Sequence, residues 1–395
     1  MSNNDQAATS PIAAARPRLV SRALLLLFFA AFGAMTGFYL LLSVVPLYAS
    51  SLGAGGLGTG LTTGALMLAT VGAELAAPAL LARFGYRVVL GVGLVLLGAP
   101  ALALASSASL AAILAVCLVR GVGLAIVVVA GSSLVATLVP RERRGEGLGL
   151  YGVVVGVPAV VALPLGVWLV ERVGFPAVFV AGAVAALAGL AAVPALPGRE
   201  PGAAQPVGVL AGLRMPAQVR PALVFLLTAM GAGVVVTFVP LATQASGKLA
   251  ALALLAHAAA TTLARWWAGR SGDRHGHAGV LVLGVVAAAA GMLALVFTRS
   301  PVAVVTGAVL LGLGFGVAQN ASLALMFERV SAAGYDMVSA LWNLAYDAGM
   351  GLGAAGFGVI ATRTGYAAAF GLTAALMLAA LAPAWRDRSW LVPAT

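Results

Sequence analysis

The sequence predicts an all-α integral membrane protein with twelve transmembrane helices, arranged as two homologous six-helix halves. Of its 395 residues, 62% are hydrophobic and only 8% are charged, whereas a soluble domain carries about 25% charged residues. The apolar residues fall in runs long enough to cross a bilayer, and several motifs recur at one spacing. Such a chain cannot cover itself with polar surface, so lipid is its expected solvent.

A helix that crosses a bilayer needs about 20 apolar residues, and charges, Pro or Gly clusters separate twelve runs of that kind. The predicted spans are 23–49, 58–82, 88–105, 110–139, 148–170, 175–196, 221–245, 249–268, 278–297, 302–327, 337–361 and 367–385. They divide the chain into an N-terminal tail (1–22), a first half (23–196), a linker (197–220), a second half (221–385) and a C-terminal tail (386–395).

The basic residues predict the orientation. Most of them fall in the two tails, the linker and the loops that share their side, and Lys and Arg accumulate on the cytoplasmic side of membrane proteins. Both termini and the linker are therefore expected in the cytoplasm. The high Ala, Gly and Arg content is typical of a GC-rich bacterium, so we expect a multi-pass protein of a bacterial cytoplasmic membrane.

Short motifs recur between the two halves at a constant spacing of 191 residues. Chance similarity among apolar segments would not keep one register over three separate elements, so the halves are predicted to be homologous. The matching segments are Arg83-Phe84-Gly85 with Arg274-His275-Gly276, Gly121-Val122-Gly123 with Gly312-Leu313-Gly314, and Gly174 with Gly365.

These motifs resemble those of the major facilitator superfamily over essentially the whole chain. The segment from Gly269 to His277 is similar to the signature loop between the family's second and third helices, and the first-half copy has Ala82 at the position of Asp273. Arg120-Gly121 resembles a fourth-helix motif of proton-coupled exporters. The spacing is most similar to twelve-helix drug and arabinose-efflux-like exporters.

The resemblance implies a set of gating residues around the signature loops and in the fifth helix. Glu74 and Arg265 occupy equivalent positions in the repeat and are a further candidate gate pair. The expected gating residues are Asp273, Arg274, Arg83, Arg265, Gly269, Gly276 and Pro164.

Three of the ionisable residues inside predicted spans are the candidates for proton coupling, since an unpaired charge there costs at least about 3 kcal/mol. Asp347 could bind and release a proton, and Glu74 is the second candidate carrier. Arg120 keeps its charge at accessible pH, so it could bind an anionic group or a partner carboxylate but could not carry the proton. For each of them a purely structural pairing between helices is the alternative.

The family resemblance also implies a substrate cavity between the halves. Met and aromatic side chains suit a permissive hydrophobic pocket, although ordinary packing is the alternative for each residue taken alone. The candidates are Tyr39, Met35, Met230, Phe238, Gln319, Asn320, Asn343 and Trp342.

Other function classes find less support. Cys117 is the only cysteine, no cluster of metal ligands appears, and the basic residues form no continuous stripe for nucleic acid. We therefore expect a monomer without cofactor or metal, whose partners are the bilayer, a small molecule and protons.

The predicted function is proton-coupled efflux of a small amphipathic drug, antibiotic or metabolite by alternating access. A sugar or metabolite efflux permease is the alternative within transport. A non-transporting sensor or a membrane enzyme is a further alternative, but the sequence has no evident nucleophile or phosphate loop, so no enzymatic activity is expected.

Overall fold

The computed structural model describes residues 21–139, 144–198, 212–243, 247–330 and 335–389, and regular secondary structure in these ranges is helical. Long helices form here because lipid offers backbone N–H and C=O groups no partner, and a helix satisfies them within one segment. Residues 1–20 of the predicted N-terminal tail, 199–211 of the predicted linker and 390–395 of the predicted C-terminal tail lie outside the described residues.

Ten segments within the described ranges are long and apolar enough to cross a membrane. Two of them, Leu150–Ala195 and Met337–Asp387, contain 46 and 51 residues. At 1.5 Å per residue they would be about 69 and 77 Å long, more than twice the hydrocarbon core of roughly 30 Å. Both are broken once, at Gly174 and Gly365, so the ten segments make twelve crossings.

The twelve crossings occur close to the predicted positions, which confirms the predicted fold class. The seventh helix begins at Pro216, ahead of its predicted start at residue 221. The helices are α1 (Arg22–Leu42 and Val44–Ser51), α2 (55–84), α3 (86–98 and Pro100–Ala103), α4 (Leu110–Leu138), α5 (144–173), α6 (175–188), α7 (Pro216–Ala242), α8 (Gly247–His275), α9 (His277–Ala294), α10 (Pro301–Glu328), α11 (335–364) and α12 (366–379 and Leu381–Ser389).

The recurring glycines mark matching helix breaks in the two halves. Gly85 and Gly276, 191 residues apart, have φ angles of 78° and 83°. Gly174 and Gly365, at the same spacing, have φ angles of 77° and 78°. Residues with a Cβ rarely adopt this left-handed conformation, so the sequence repeat reflects a backbone requirement at each turn.

The helices also pack alike in the two halves. A Cβ added to Gly121 of α4 would overlap the carbonyl oxygen of Leu66 on α2, and one added to Gly312 of α10 would overlap that of His257 on α8. Leu66 and His257 are themselves 191 residues apart. Each half therefore brings its fourth helix into backbone contact with its second.

The two ends of the bundle can be told apart by the loops that they carry. We call the end with the turns at Gly85 and Gly276 the linker side, because the described part of the first half ends there at Gly198 and the second half begins there at Gly212. The end with the turns near residues 53, 107, 174, 299 and 365 is the far side. The candidate site lies between the halves, between these two ends.

Candidate functional site

On the far side, α2 of the first half packs directly against α11 of the second. A Cβ added to Gly60 would overlap the carbonyl oxygen of Ala354, and one added to Gly358 would overlap that of Gly56. The two backbones are therefore in contact, which only residues without bulky side chains permit. We call this contact the glycine seam: it comprises Gly56, Gly60 and Gly64 of α2 with Gly351, Ala354 and Gly358 of α11.

Three of the hydrogen bonds that join the halves lie towards the far side. They connect α1 and α2 of the first half with α7 and α11 of the second, so the far end of the path between the halves is closed. The bonds are Ser43 Oγ to Val236 O (2.7 Å), the Leu57 amide to Thr362 Oγ1 (3.1 Å) and the pair of hydroxyls of Thr63 and Thr237 (2.9 Å).

Two carboxyl groups meet where the seam ends towards the linker side. Glu74 of α2 and Asp347 of α11 are direct neighbours across the interface between the halves. Asp347 is buried, with 6% of its surface exposed, and Glu74 is half-buried. We call these residues the acid pair. They were predicted separately as proton carriers, and the structure brings them together.

Residues from two more helices surround the acid pair. Tyr39 of α1 and Tyr346 of α11 lie within electrostatic range of each other, of Asp347 and of Arg265 on α8. Arg265 is exposed although it lies well inside its helix, and its electrostatic interaction with Tyr39 of the first half places it where the two halves face each other. The described residues show no ion pair between Arg265 and Glu74, the predicted gate pair, since Glu74 adjoins Asp347 instead.

A stack of aromatic rings fixes the part of α11 that carries Asp347. Trp342 stacks on Phe225 of α7 with ring centroids 4.5 Å apart, and Tyr346 stacks on Phe315 of α10 at 6.0 Å. Trp342 Nε1 also donates a hydrogen bond to Ser322 Oγ at 3.1 Å. These contacts set the rotation of α11 and hold Asp347 towards the first half.

Arg120 does not belong to the acid pair. Its Nε donates to the Leu97 carbonyl of α3 at 3.1 Å and its Nη2 to the Gly37 carbonyl of α1 at 3.3 Å, so it ties three helices of the first half together. Only 1% of its surface is exposed. No described carboxylate lies within ion-pair distance of it, and Nη1 has no hydrogen-bond partner in the described part of the chain.

A sequence profile of the Major Facilitator Superfamily matches residues 27–244 and again residues 221–389. The chain belongs to the Major Facilitator Superfamily. It is therefore a membrane-embedded secondary transporter of small molecules rather than an enzyme. A comparison with curated proteins finds no match.

Solved structures of transporters share the fold of this superfamily member at low sequence identity. The nucleoside transporter NupG matches with a TM-score of 0.73 and 13% identity, over 93% of this chain and 99% of that one. A bacterial homologue of the human lysosomal transporter Spinster, inward-facing and unoccupied, gives 0.76 and 14%, over 94% and 98%. The peptide transporter POT with sulfate gives 0.73 and 17%, over 92% and 94%.

The superfamily signature residues lie on the linker side. Arg83 and Arg274 are exposed there, and the side chain of Asp273 lies outside the described part of the chain. Gly276 forms the left-handed turn between α8 and α9. Gly269 faces Asn320 of α10, while Pro164 is buried inside α5.

The predicted cavity residues divide into packing residues and residues near the interface. Phe238 is fully buried against Phe357, with ring centroids 4.6 Å apart, and Met35 is 5% exposed, so both belong to the packed core. Met230 and Asn343 are half-buried on α7 and α11. The side-chain oxygens of Gln319 and Asn320 are buried and have no hydrogen-bond partner among the described residues.

Sequence reasoning did not single out Glu171, which lines a cavity of about 280 Å³ between the halves on the far side. Its carboxylate touches Gly247, the first residue of α8, so closely that a Cβ there would overlap it. A carboxylate is favoured at a helix N-terminus because the helix dipole is positive there. Glu171 thus adds a polar contact between the halves that no sequence motif predicted.

Proposed function

We propose that this transporter exports a small amphipathic molecule in exchange for protons by alternating access, with the linker side in the cytoplasm of a bacterium. The observation that supports proton coupling is the acid pair, in which Glu74 and Asp347 meet from opposite halves. The basic residues on the linker side support the orientation. The conformation described here is then the inward-facing one.

The acid pair can couple protonation to the arrangement of the halves because both groups carry the same charge when ionised. Two carboxylates about 4 Å apart repel each other by about 4 kcal/mol at an effective dielectric constant near 20. That energy corresponds to roughly a thousandfold preference for keeping a proton while the groups are adjacent. Separating the halves at this level removes the repulsion, so proton release shifts the equilibrium towards the outward-facing arrangement and proton binding shifts it back towards the inward-facing one.

The membrane potential then supplies the driving force. Each proton that moves inward contributes about 2.3 kcal/mol per 100 mV, which is enough for roughly a fortyfold concentration bias of cargo. Tyr39, Trp342 and Tyr346 line the approach to the pair with aromatic surface, which favours an amphipathic cargo over a strongly polar one.

A sugar or another hydroxyl-rich metabolite is the second candidate cargo, and one observation favours it. The buried amide oxygens of Gln319 and Asn320 lack partners among the described residues, and buried acceptors of this kind are expected to bind donors. An accumulation screen with drugs, dyes and sugars, in cells with and without the protein, distinguishes the two classes of cargo.

The coupling is tested in proteoliposomes with the cargo that the screen identifies and an imposed proton gradient. Asp347→Asn and Glu74→Gln are expected to abolish uphill transport while leaving exchange of cargo between the two sides measurable, because a neutral amide represents only one protonation state. Glu328→Gln is the matched control, since Glu328 lies on the linker side and pairs with His277 at 2.7 Å.

Wild-type uphill rates in both acid-pair variants would exclude coupling through this pair. Cargo that binds to the wild-type protein but never crosses the vesicle membrane would favour a sensor instead.

A further inference from the structure

Arg120 carries a buried charge that the described residues do not neutralise. Its Nε and Nη2 reach neutral backbone carbonyls, its Nη1 has no partner, and no described carboxylate is within ion-pair distance. Buried charges in proteins are normally paired, because removing an ion from water without a counter-charge is unfavourable. The missing counter-charge therefore points to a ligand.

A small cavity lies next to this guanidinium and can receive such a ligand. Arg120 lines it together with Thr62 and Thr63 of α2 and Cys117 of α4, and apolar side chains of α1 complete the wall. Its volume is about 10 Å³, which is about the least that one water molecule needs, so a carboxylate group or a halide ion fits only after the cavity has widened. The unpartnered Nη1 of Arg120 is a hydrogen-bond donor that suits an anionic oxygen or a halide ion. The Thr62 hydroxyl already donates to the Thr59 carbonyl, and the Thr63 hydroxyl is paired with that of Thr237.

The cavity lies against the second half, so its access depends on the arrangement of the halves. Thr63 lines the cavity and also pairs with Thr237 of α7, 2.9 Å away. In the conformation with a closed far side, the second half therefore covers the cavity. Separation of the halves at the far side would break this hydrogen bond and widen the cavity.

We propose that Arg120 and this cavity form a binding site for a monovalent anionic group, either the carboxylate of the cargo or a free halide ion. The cargo would then be an amphipathic acid whose charged end reaches Arg120 when the far side opens. The inference rests on the proposed transport function for this opening, but the site can be tested without any transport.

Cys117 provides a reporter inside the cavity, because it is the only cysteine of the chain and lines the same wall. The rate of its modification by neutral methyl methanethiosulfonate is measured in nanodiscs, with sodium chloride, acetate or a panel of amphipathic carboxylates against sodium gluconate at equal ionic strength. Modification of an occupied site is blocked, so an anion at about ten times its Kd should slow the reaction roughly tenfold.

Arg120→Gln is expected to abolish this protection. Arg87→Gln is the matched control, since Arg87 also donates to a backbone carbonyl, that of Leu196 at 2.7 Å, but lies on the linker side. Protection should persist in that variant. Protection by chloride and acetate indicates a general anion site, and protection only by the larger carboxylates indicates the cargo.

A second pair of reagents tests the charge even if Arg120→Gln does not fold. Each rate is divided by the rate of the same reagent with a small free thiol in solution. On this normalised scale, a sulfonate-bearing methanethiosulfonate should modify wild-type Cys117 faster than its trimethylammonium analogue, since the first is attracted by the guanidinium. Equal normalised rates for the two reagents, or no saturable protection by any anion in the wild-type protein, would overturn the proposal. Either failure leaves proton-driven flux through the acid pair unaffected, so the two proposals can fail separately.

Discussion

Replacing Gly60 by alanine should open the far side, because the glycine seam has no room for a methyl group. The added Cβ would overlap the carbonyl oxygen of Ala354 and stand 3.0 Å from its carbonyl carbon, whereas ordinary contacts begin near 3.4 Å. The obstacle is backbone, so α2 and α11 must move apart. Overpacking of this kind costs about 1–3 kcal/mol, which shifts the conformational equilibrium about 5- to 150-fold.

Gly72→Ala is the matched control on the same helix. A Cβ at Gly72 meets no atom within 4 Å, yet the substitution brings the same gain in helix propensity, about 1 kcal/mol. Any difference between the two variants therefore reports on the seam and not on the intrinsic stability of α2.

The assay measures the distance between spin labels at Ser106→Cys and Arg299→Cys, in a Cys117→Ser background. Both positions are exposed on the far side, one in each half. Gly60→Ala should populate a longer distance that Gly72→Ala and the parent protein do not. Identical distance distributions in all three proteins would refute the reasoning, since the seam would then tolerate a side chain without opening.

Two further predictions concern orientation and stability. A reporter protein that is active only in the cytoplasm should be active when it is fused after Gly202, and a reporter that is active only outside the cell should be inactive there. The opposite pair of results would reverse the orientation. Asp387 is 1% exposed and lies 3.2 Å from Arg329. Asp387→Asn should lower the melting temperature, because breaking a buried ion pair costs about 3–5 kcal/mol. The control Arg363→Gln, at an exposed position, should leave the melting temperature unchanged. Equal melting temperatures for Asp387→Asn and the parent protein would show that the Asp387–Arg329 pair contributes no stability.

The fold could be predicted from the sequence because its signals are local or periodic. Run length determines which segments can cross a bilayer, and the recurrence of Gly85 at Gly276 and of Gly174 at Gly365 reflects turns with positive φ in both halves. The exact ends were less predictable, as the early start of α7 at Pro216 shows, because polar residues can extend a helix beyond its apolar part.

The site could be predicted only residue by residue. A charge inside an apolar run identifies Glu74, Asp347 and Arg120 as unusual, but whether two of them meet depends on how the halves rotate against each other. Symmetry in the sequence favoured Arg265 as the partner of Glu74, whereas packing of α2 on α11 places Asp347 there. Phe238 shows the same limit, since an aromatic residue on a cavity-lining helix can face its own half.

The seam and the acid pair act on the same two helices, and their energies can be compared. Moving a two-state equilibrium from 1:99 to 99:1 takes about 5.5 kcal/mol, and repulsion within an ionised acid pair supplies about 4 kcal/mol. Proton release alone therefore falls short of a complete switch by about 1.5 kcal/mol. Cargo that binds the two conformations with different affinity can supply this remainder. On the proposed function, this shortfall makes the exchange tightly coupled. Neither proton release nor cargo binding alone is sufficient to convert one conformation into the other, so neither proton nor cargo crosses freely without the other.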